Sequence, residues 1–364
     1  MVRNRRERAM IAAYWLSVGL TFGMALALSV LMTWLARRLA PALGMLAEPD
    51  DRRKHQGAIP KLGALPLWAS FTLSAIVAQG LPVERADPNE AIRLFGLVAG
   101  GTLIFCFGLL DDRFDLAPHW QLIGQALAAG VAIACLIFIE RFNNPLTGET
   151  AGPFPFALTL IISLFWLLLM MNTVNFLDGV DGLAGGVNLI AAILLFLHTL
   201  RENQLSVSLL PSALIGTLLG FLIFNWHPAR IFMGSGAVYL GFVIGALSII
   251  GGAKMATILL VMGLPLLDLA WQAGRRLLEG KNPMIGDRGH LHFRVLDSGL
   301  LSPRAFTLIY YAFCATFGAL ALLTTSRQFK LIALIVLSGI ALAGFLLVAR
   351  HSRLKAPSVE QVRQ

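Results

Sequence analysis

Apolar runs long enough to cross a bilayer recur along almost the whole chain, and they decide what it can fold into. Taking stretches of roughly 17 to 25 residues as crossings, eleven stand out: about 9 to 35, 62 to 81, 92 to 110, 120 to 139, 157 to 174, 183 to 200, 209 to 225, 238 to 251, 255 to 278, 305 to 325 and 331 to 349. The eighth is short. A chain that is 57% hydrophobic and 13% charged, with mean hydropathy +0.74, is excluded from the soluble globular class. The expected fold is an all-α polytopic integral membrane protein with about 11 transmembrane helices, forming a single membrane domain over residues 1–364. No internal repeat, low-complexity segment or soluble-domain linker interrupts it. The first run follows Arg3, Arg5, Arg6 and Arg8 in the manner of a signal peptide, but it is too long for a cleavable apolar region and is expected to remain as a helix.

Eleven crossings put the connections after runs one, three, five, seven and nine on one face, together with the C-terminus. Most of the 29 Lys and Arg lie on that face, so the positive-inside rule makes it cytoplasmic, against the vote of the N-terminal arginines. The net charge of +9 suits anionic headgroups and anionic substrates alike. Cys106, Cys135 and Cys314 stand singly inside apolar runs without ligand spacing and read as packing residues.

The polar residues fall on the same face. Between two apolar runs lies NTVNFLDGVDGLAGG, Asn172 to Gly186. Asn172, Asn175, Asp178 and Asp181 recur every third residue, so on a helix the first three share one broad face. Gly179, Gly182, Gly185 and Gly186 remove side chains beside them, which leaves room for a phosphate or sugar to approach the backbone. The third run ends in GLLDDRFDL. Adjacent carboxylates such as Asp111 and Asp112 raise the proton affinity of one member and together attract a divalent cation. They can accept a proton from a lipid phosphate or hold Mg²⁺ beside a diphosphate. In the connection after the ninth apolar stretch, His290 and His292 flank Leu291 with Arg288 and Arg294 nearby, a clamp suited to a diphosphate. Zinc fits less well, because no Cys or third suitably spaced His accompanies the pair.

These motifs resemble, in order, those of the polyprenyl-phosphate N-acetylhexosamine-1-phosphate transferases, glycosyltransferase family 4, whose members move a sugar-1-phosphate from a UDP-sugar to a lipid phosphate. The resemblance runs from Arg52 to Ser302. It also covers the segment EPDDRRKHQGAIPKLG, making Lys54 and His55 candidate phosphate contacts, and NWHPARIFMG, where Asn225 and Arg230 match the family pattern. Gly63 and Ala64 stand where the family has Gly-Gly, and Phe293 stands where it often has a further His. The resemblance implies catalytic roles for Asp111, Asp112 and Asp178 and places Asp178 and Asn175 near the diphosphate and a Mg²⁺ (or Mn²⁺) ion. Asp181 and Asn172 are implied to support the nucleotide or the loop geometry. It further implies a UDP-N-acetylhexosamine donor, an undecaprenyl or other polyprenyl phosphate acceptor, UMP release, a homodimer, and the bacterial inner membrane with the active site facing the cytoplasm. HLHFRVLDSGL looks more like the branch that uses a simple N-acetylhexosamine for O-antigen, teichoic acid or related polymers.

One departure is marked. The family pattern continues FMGD, whereas here Gly234 is followed directly by Ser235 and Gly236, so the metal-binding Asp is absent and its role is not carried onto Ser235. Asp268, behind Pro265 in the ninth run, is either a structural Asp bonded to a neighbouring helix or a replacement cation ligand. Three other readings stay open. An intramembrane prenyltransferase would use the DDxxD spacing of DDRFD but lacks a second such motif. A transporter would place its polar groups near mid-membrane. A catalytically impaired relative would bind lipid or nucleotide only.

Overall fold

The computed structural model describes residues 2–48, 57–143, 149–252, 255–278, 280, 291–297, 299–324 and 326–354. In chain order the elements are α1 (Val2–Leu39), the strand pair β1 (Leu46–Ala47) and β2 (Ile59–Pro60), α2 (Ala64–Ala78), α3 (Glu90–Phe114), α4 (Pro118–Ala134), the strand pair β3 (Phe142–Asn143) and β4 (Thr150–Ala151), α5 (Phe156–Leu177) and α6 (Leu183–Arg201). They continue with α7 (Leu205–Asn225), α8 (Gly236–Ile250), α9 (Met255–Val261), α10 (Gly263–Leu278), α11 (Leu291–Asp297), α12 (Pro303–Leu323) and α13 (Arg327–Leu354). Each of the eleven apolar runs is helical. Six helices are long and apolar enough to cross a membrane, namely α1 from Arg8, α3, α5, α6, α7 and α12, and Ala64–Ala78, Gly236–Ile250 and Gln328–Gly344 are shorter apolar helices. The chain is a polytopic α-helical membrane protein.

The ninth run is two helices. Pro265 has no N–H to offer the carbonyl of Val261 and its ring crowds that turn, so α9 ends at Val261 and α10 begins at Gly263 with Pro265 in its first turn. Bonds from Met262 N to Ile258 O at 2.8 Å and from Leu266 N to Met262 O at 2.8 Å carry the ladder across the break.

Helices approach closely where side chains are absent. In a bilayer, apolar surface gains little from leaving lipid, so association relies on close packing and interhelical hydrogen bonds. A Cβ on Gly216 would lie 2.4 Å from Phe22 O, and one on Gly220 would lie 2.7 Å from Ser29 Cβ. Those two glycines bring α7 against α1, and Ser29 Oγ donates across the same seam to Thr217 O at 2.6 Å. Gly241 and Gly245 of α8 do likewise against Met170 of α5, where Trp166 Nε1 donates to Ser248 Oγ at 3.0 Å. Trp68 of α2 stacks on Phe105 of α3 with ring centroids 4.4 Å apart. At the N-terminal end of α3, buried Glu90 pairs with Arg85 and accepts from Ser206 Oγ at 2.7 Å, which ties α3 to the start of α7.

At the other end of α3 a small main-chain assembly joins distant segments. β1 pairs antiparallel with β2, Leu46 opposite Pro60, and Lys61 N donates to Met45 O at 2.9 Å. On the other side, Phe232 N donates to Pro60 O at 2.8 Å and Gly63 N donates to Phe232 O at 3.1 Å. A Cβ on Gly63 would fall 2.5 Å from Phe232 O and 2.7 Å from Met233 Cα, so this junction closes only around glycine. Residues 59–63 are thereby fixed to the α7–α8 loop.

Candidate active site

The C-terminal ends of α3 and α5 meet the start of α4, α10 and the turn before α8 around a cavity of about 820 Å³. Asp111, Asp112, Asn172, Asn175 and Asp178 all line it. The three-residue spacing does this on α5, since residues 172 and 175 lie on one face and Asp178 is the C-cap. α3 ends with Asp115 in the left-handed region at φ 47, a conformation Asp tolerates better than most residues. That ending leaves Asp111 and Asp112 in the last turn.

The electrostatics of this cavity are negative. The negative ends of the α3 and α5 dipoles are offset there by the N-termini of α4 and α8, so the carboxylates of Asp111, Asp112, Asp115 and Asp178 set the sign. Among the described lining residues Lys61 is the one cation. Its Nζ lies 3.0 Å from Asp112 Oδ1, with the Asp112 side chain only 2% exposed. Asp112 Oδ2 accepts from Ser235 N at 2.9 Å and from Ser235 Oγ at 2.7 Å. A carboxylate at the N-terminus of α8 is favourable for that helix, and Asp112 supplies it from α3.

The two neighbouring carboxylates therefore have different partners. Asp111 Oδ1 accepts from Leu116 N at 3.0 Å and from Gln121 Nε2 at 2.9 Å, which points the pair at separate walls. Across the cavity Asn172 Nδ2 donates to Gln125 Oε1 at 2.8 Å and to Leu168 O at 2.8 Å. Gln121 and Gln125 sit one turn apart on α4 and hold both sides. Neither they nor Lys61 stand out in the sequence, and Ser235 does so only as the residue found where the family has Asp. The one available signal was a pair of amides four residues apart at the start of an otherwise apolar run.

Other residues singled out above lie elsewhere. Asp181 Oδ2 accepts from Ala229 N at 3.0 Å and meets His227 Nδ1 at 2.7 Å, so it serves the loop geometry. Asn225 is buried, accepting from Gly182 N at 3.2 Å and donating to Ile231 O at 3.0 Å. Arg230 is exposed, and its carbonyl accepts from Arg37 Nε at 3.2 Å. Asp268 is buried in α10 and is not among the lining residues, although Leu266, Leu269, Ala270 and Ala273 of the same helix are. Lys54, His55, Arg288 and His290 lie outside the described residues. His292 and Arg294 fall in α11, with Arg294 half-buried.

The glycines do not do what their run suggests. Only Gly179 lines the cavity. Gly182, at φ +76, faces Trp226, Gly185 faces Leu222, and a Cβ on Gly186 would lie 1.9 Å from Tyr311 Oη. Tyr311 in turn donates to Gly182 O. Three of the four glycines thus admit protein side chains, because packing α6 against α7 and α12 needs the space first.

Among the described residues no three His, Cys, Asp or Glu side chains form a metal cage. The donor set nonetheless suits a hard cation that keeps few protein ligands, since Mg²⁺ is typically held by one or two carboxylates plus substrate phosphates. Asn175 and Asp178 at a helix C-terminus, and Asp111 lining the same cavity, supply such oxygens.

The sequence model of glycosyl transferase family 4 matches residues 94–252, from α3 through the end of α8. Decaprenyl-phosphate N-acetylglucosaminephosphotransferase of Mycolicibacterium smegmatis is 31% identical over 319 residues, covering 80% of this chain and 78% of that protein. The chain belongs to glycosyl transferase family 4. Its family 4 relatives include the probable undecaprenyl-phosphate N-acetylglucosaminyl 1-phosphate transferase of Bacillus subtilis, 27% identical over 306 residues and 82% of each chain. Another is the undecaprenyl-phosphate alpha-N-acetylglucosaminyl 1-phosphate transferase of Escherichia coli, 29% identical over 312 residues, 80% of this chain and 81% of that one. The family 4 match contains Asp111, Asp112, Asn172, Asn175 and Asp178; Lys61 precedes it.

Proposed function

We propose that this protein transfers N-acetylhexosamine-1-phosphate from a UDP-sugar to a polyprenyl phosphate such as undecaprenyl phosphate, releasing UMP, as the first membrane step of a cell-envelope glycan pathway. The observation that carries the proposal is the convergence of Asp111, Asp112, Asn172, Asn175 and Asp178 on one cavity in a membrane protein. A phosphate oxygen of the lipid attacks the sugar-linked phosphorus. The bond from that phosphorus to the bridging oxygen breaks, UMP leaves with the bond's electrons, and a polyprenyl-diphospho-sugar remains.

Both reactants are anionic, and the cavity that receives them is negative. Asn175 and Asp178 would hold Mg²⁺, which when bound neutralises phosphate charge as it shifts in the transition state. Asp111, which accepts from Leu116 N and Gln121 Nε2, would take a proton from the lipid phosphate. Asn172 and Gln125 present amides to sugar or base hydroxyl and carbonyl groups. Apolar residues such as Phe107, Leu122, Leu169 and Leu266 line the same space and exclude water from the reacting atoms.

The shorter apolar helices, with α4 and the α9–α10 pair, complete about eleven crossings in this reading. The charge asymmetry of the connections puts the cavity on the cytoplasmic side of the inner membrane, and a homodimer is the assembly we expect. The test is UMP release from UDP-N-acetylglucosamine with undecaprenyl phosphate in detergent, with and without Mg²⁺. Release that requires both substrates and the ion is expected. No release with any UDP-N-acetylhexosamine overturns the proposal.

A further inference from the structure

The cavity asks an anion to enter among four carboxylates, yet among its described lining residues it holds one positive charge. Lys61 is 16% exposed at its side chain and 3.0 Å from Asp112, and it lines the cavity. Its main chain is fixed on both sides, by Met45 O through its own N–H and by Phe232 through Pro60 and Gly63. The ammonium is therefore a positioned charge, not a mobile surface lysine. Asp112 holds it there with the one oxygen that Ser235 does not occupy. An ammonium has three donors, and Asp112 Oδ1 needs one of them.

Resting on the transferase reading, we propose that Lys61 contacts phosphoryl oxygens of the anionic substrate in this cavity, and that Asp112 is the counter-ion that positions it. The alternative is that the two charges merely neutralise each other inside the protein. Those roles differ in one respect: a structural pair can be replaced by two neutral groups, whereas a phosphate contact cannot. The ligand chemistry, a phosphate monoester or diphosphate, is shared by the lipid acceptor and the nucleotide donor.

The experiment measures binding to the full-length protein in detergent, independently of turnover. The probes are UDP and undecaprenyl phosphate, with uridine and undecaprenol as their uncharged counterparts. The proteins are wild type, Lys61→Met, Lys61→Arg and the double variant Lys61→Met/Asp112→Asn. Lys61→Met is expected to weaken UDP, undecaprenyl phosphate or both by about tenfold or more, the worth of one hydrogen bond to a charged group. Whichever probe weakens identifies the source of the phosphate. Uridine and undecaprenol binding should stay unchanged, and Lys61→Arg should retain most of the affinity. The double variant guards against misfolding of the single one, since it buries no unpaired charge, and it is expected to remain weak for the same probe. Wild-type affinity for both phosphates in the double variant overturns the proposal. So does Lys61→Met binding both within twofold of wild type. If wild type binds the phosphates but releases no UMP from any UDP-N-acetylhexosamine, the transferase reading fails while the phosphate contact stands.

Discussion

Asp181 joins two loops through one oxygen: its Oδ2 meets His227 Nδ1 at 2.7 Å and accepts from Ala229 N at 3.0 Å. The first loop follows the cap Asp178 and the second leads into Gly234 and Ser235, so one carboxylate ties together the opposing rims of the cavity. Asp181→Ala should lower stability by about 1–2 kcal/mol, mainly the cost of leaving the buried Ala229 N–H unmet, since His227 is half-exposed. Asp181→Asn, which keeps an acceptor, should lose less. Thermal unfolding in detergent distinguishes them, and equal midpoints for wild type and Asp181→Ala would refute the tie.

Asp178→Asn and Asp111→Asn should each cut turnover by roughly two orders of magnitude or more, the usual effect of removing a group that acts on the reacting phosphates. Their unfolding midpoints should move little. Asp112→Asn should differ by lowering both, because it leaves Lys61 and the start of α8 without their carboxylate; about 1–3 kcal/mol is expected for a pair that is buried on one side only. Rates and melting curves on the same preparations check the contrast.

Gly63→Ala should be destabilising by about 1–3 kcal/mol, because its Cβ would run into the Phe232 carbonyl and the Met233 backbone, which cannot swing aside. Turnover should fall with it, as the same segment presents Lys61. Retention of both wild-type stability and rate would show that the junction relaxes freely.

Chelation should abolish UMP release, and Mg²⁺ should restore it. In Asp178→Asn the ion concentration needed for half-maximal rate should rise at least severalfold, since one of few protein oxygens is lost. A Mg²⁺ titration of the rate reads this directly, and an unchanged midpoint in Asp178→Asn would remove it as a ligand.

Arg85→Met provides the distant control. It strips buried Glu90 of its partner, which costs stability. Glu90 is 22 helical steps from Asp112, about 33 Å along α3, so kcat/KM at a temperature where the protein is folded should not change. A large loss of kcat/KM there would mean that the far end of α3 is coupled to the cavity.

Much of this architecture could be read from residue order. The apolar runs located the helices because length and hydropathy are local properties. The Asn172, Asn175 and Asp178 face was visible because helical spacing alone aligns them. The carboxylates at 111 and 112 were visible by adjacency, but not that one faces Lys61 and the other Gln121, since those partners come from other elements. The glycines of 182–186 were misread for a related reason: an absent side chain leaves space, and only the packed neighbours Trp226, Leu222 and Tyr311 show what takes it. For Asp181 the resemblance leaves nucleotide or loop geometry open, and for Asn225 it gives only a pattern match; both side chains bond loop backbone, which near a membrane also needs acceptors and donors.

The segment that carries Lys61, just past β2, is held by main-chain groups of Met45, Pro60, Gly63 and Phe232. The path of the backbone there is thus set independently of which side chain stands at position 61. Position 61 can therefore carry arginine, or a neutral group once Asp112 is neutralised with it, without rebuilding the backbone that presents it.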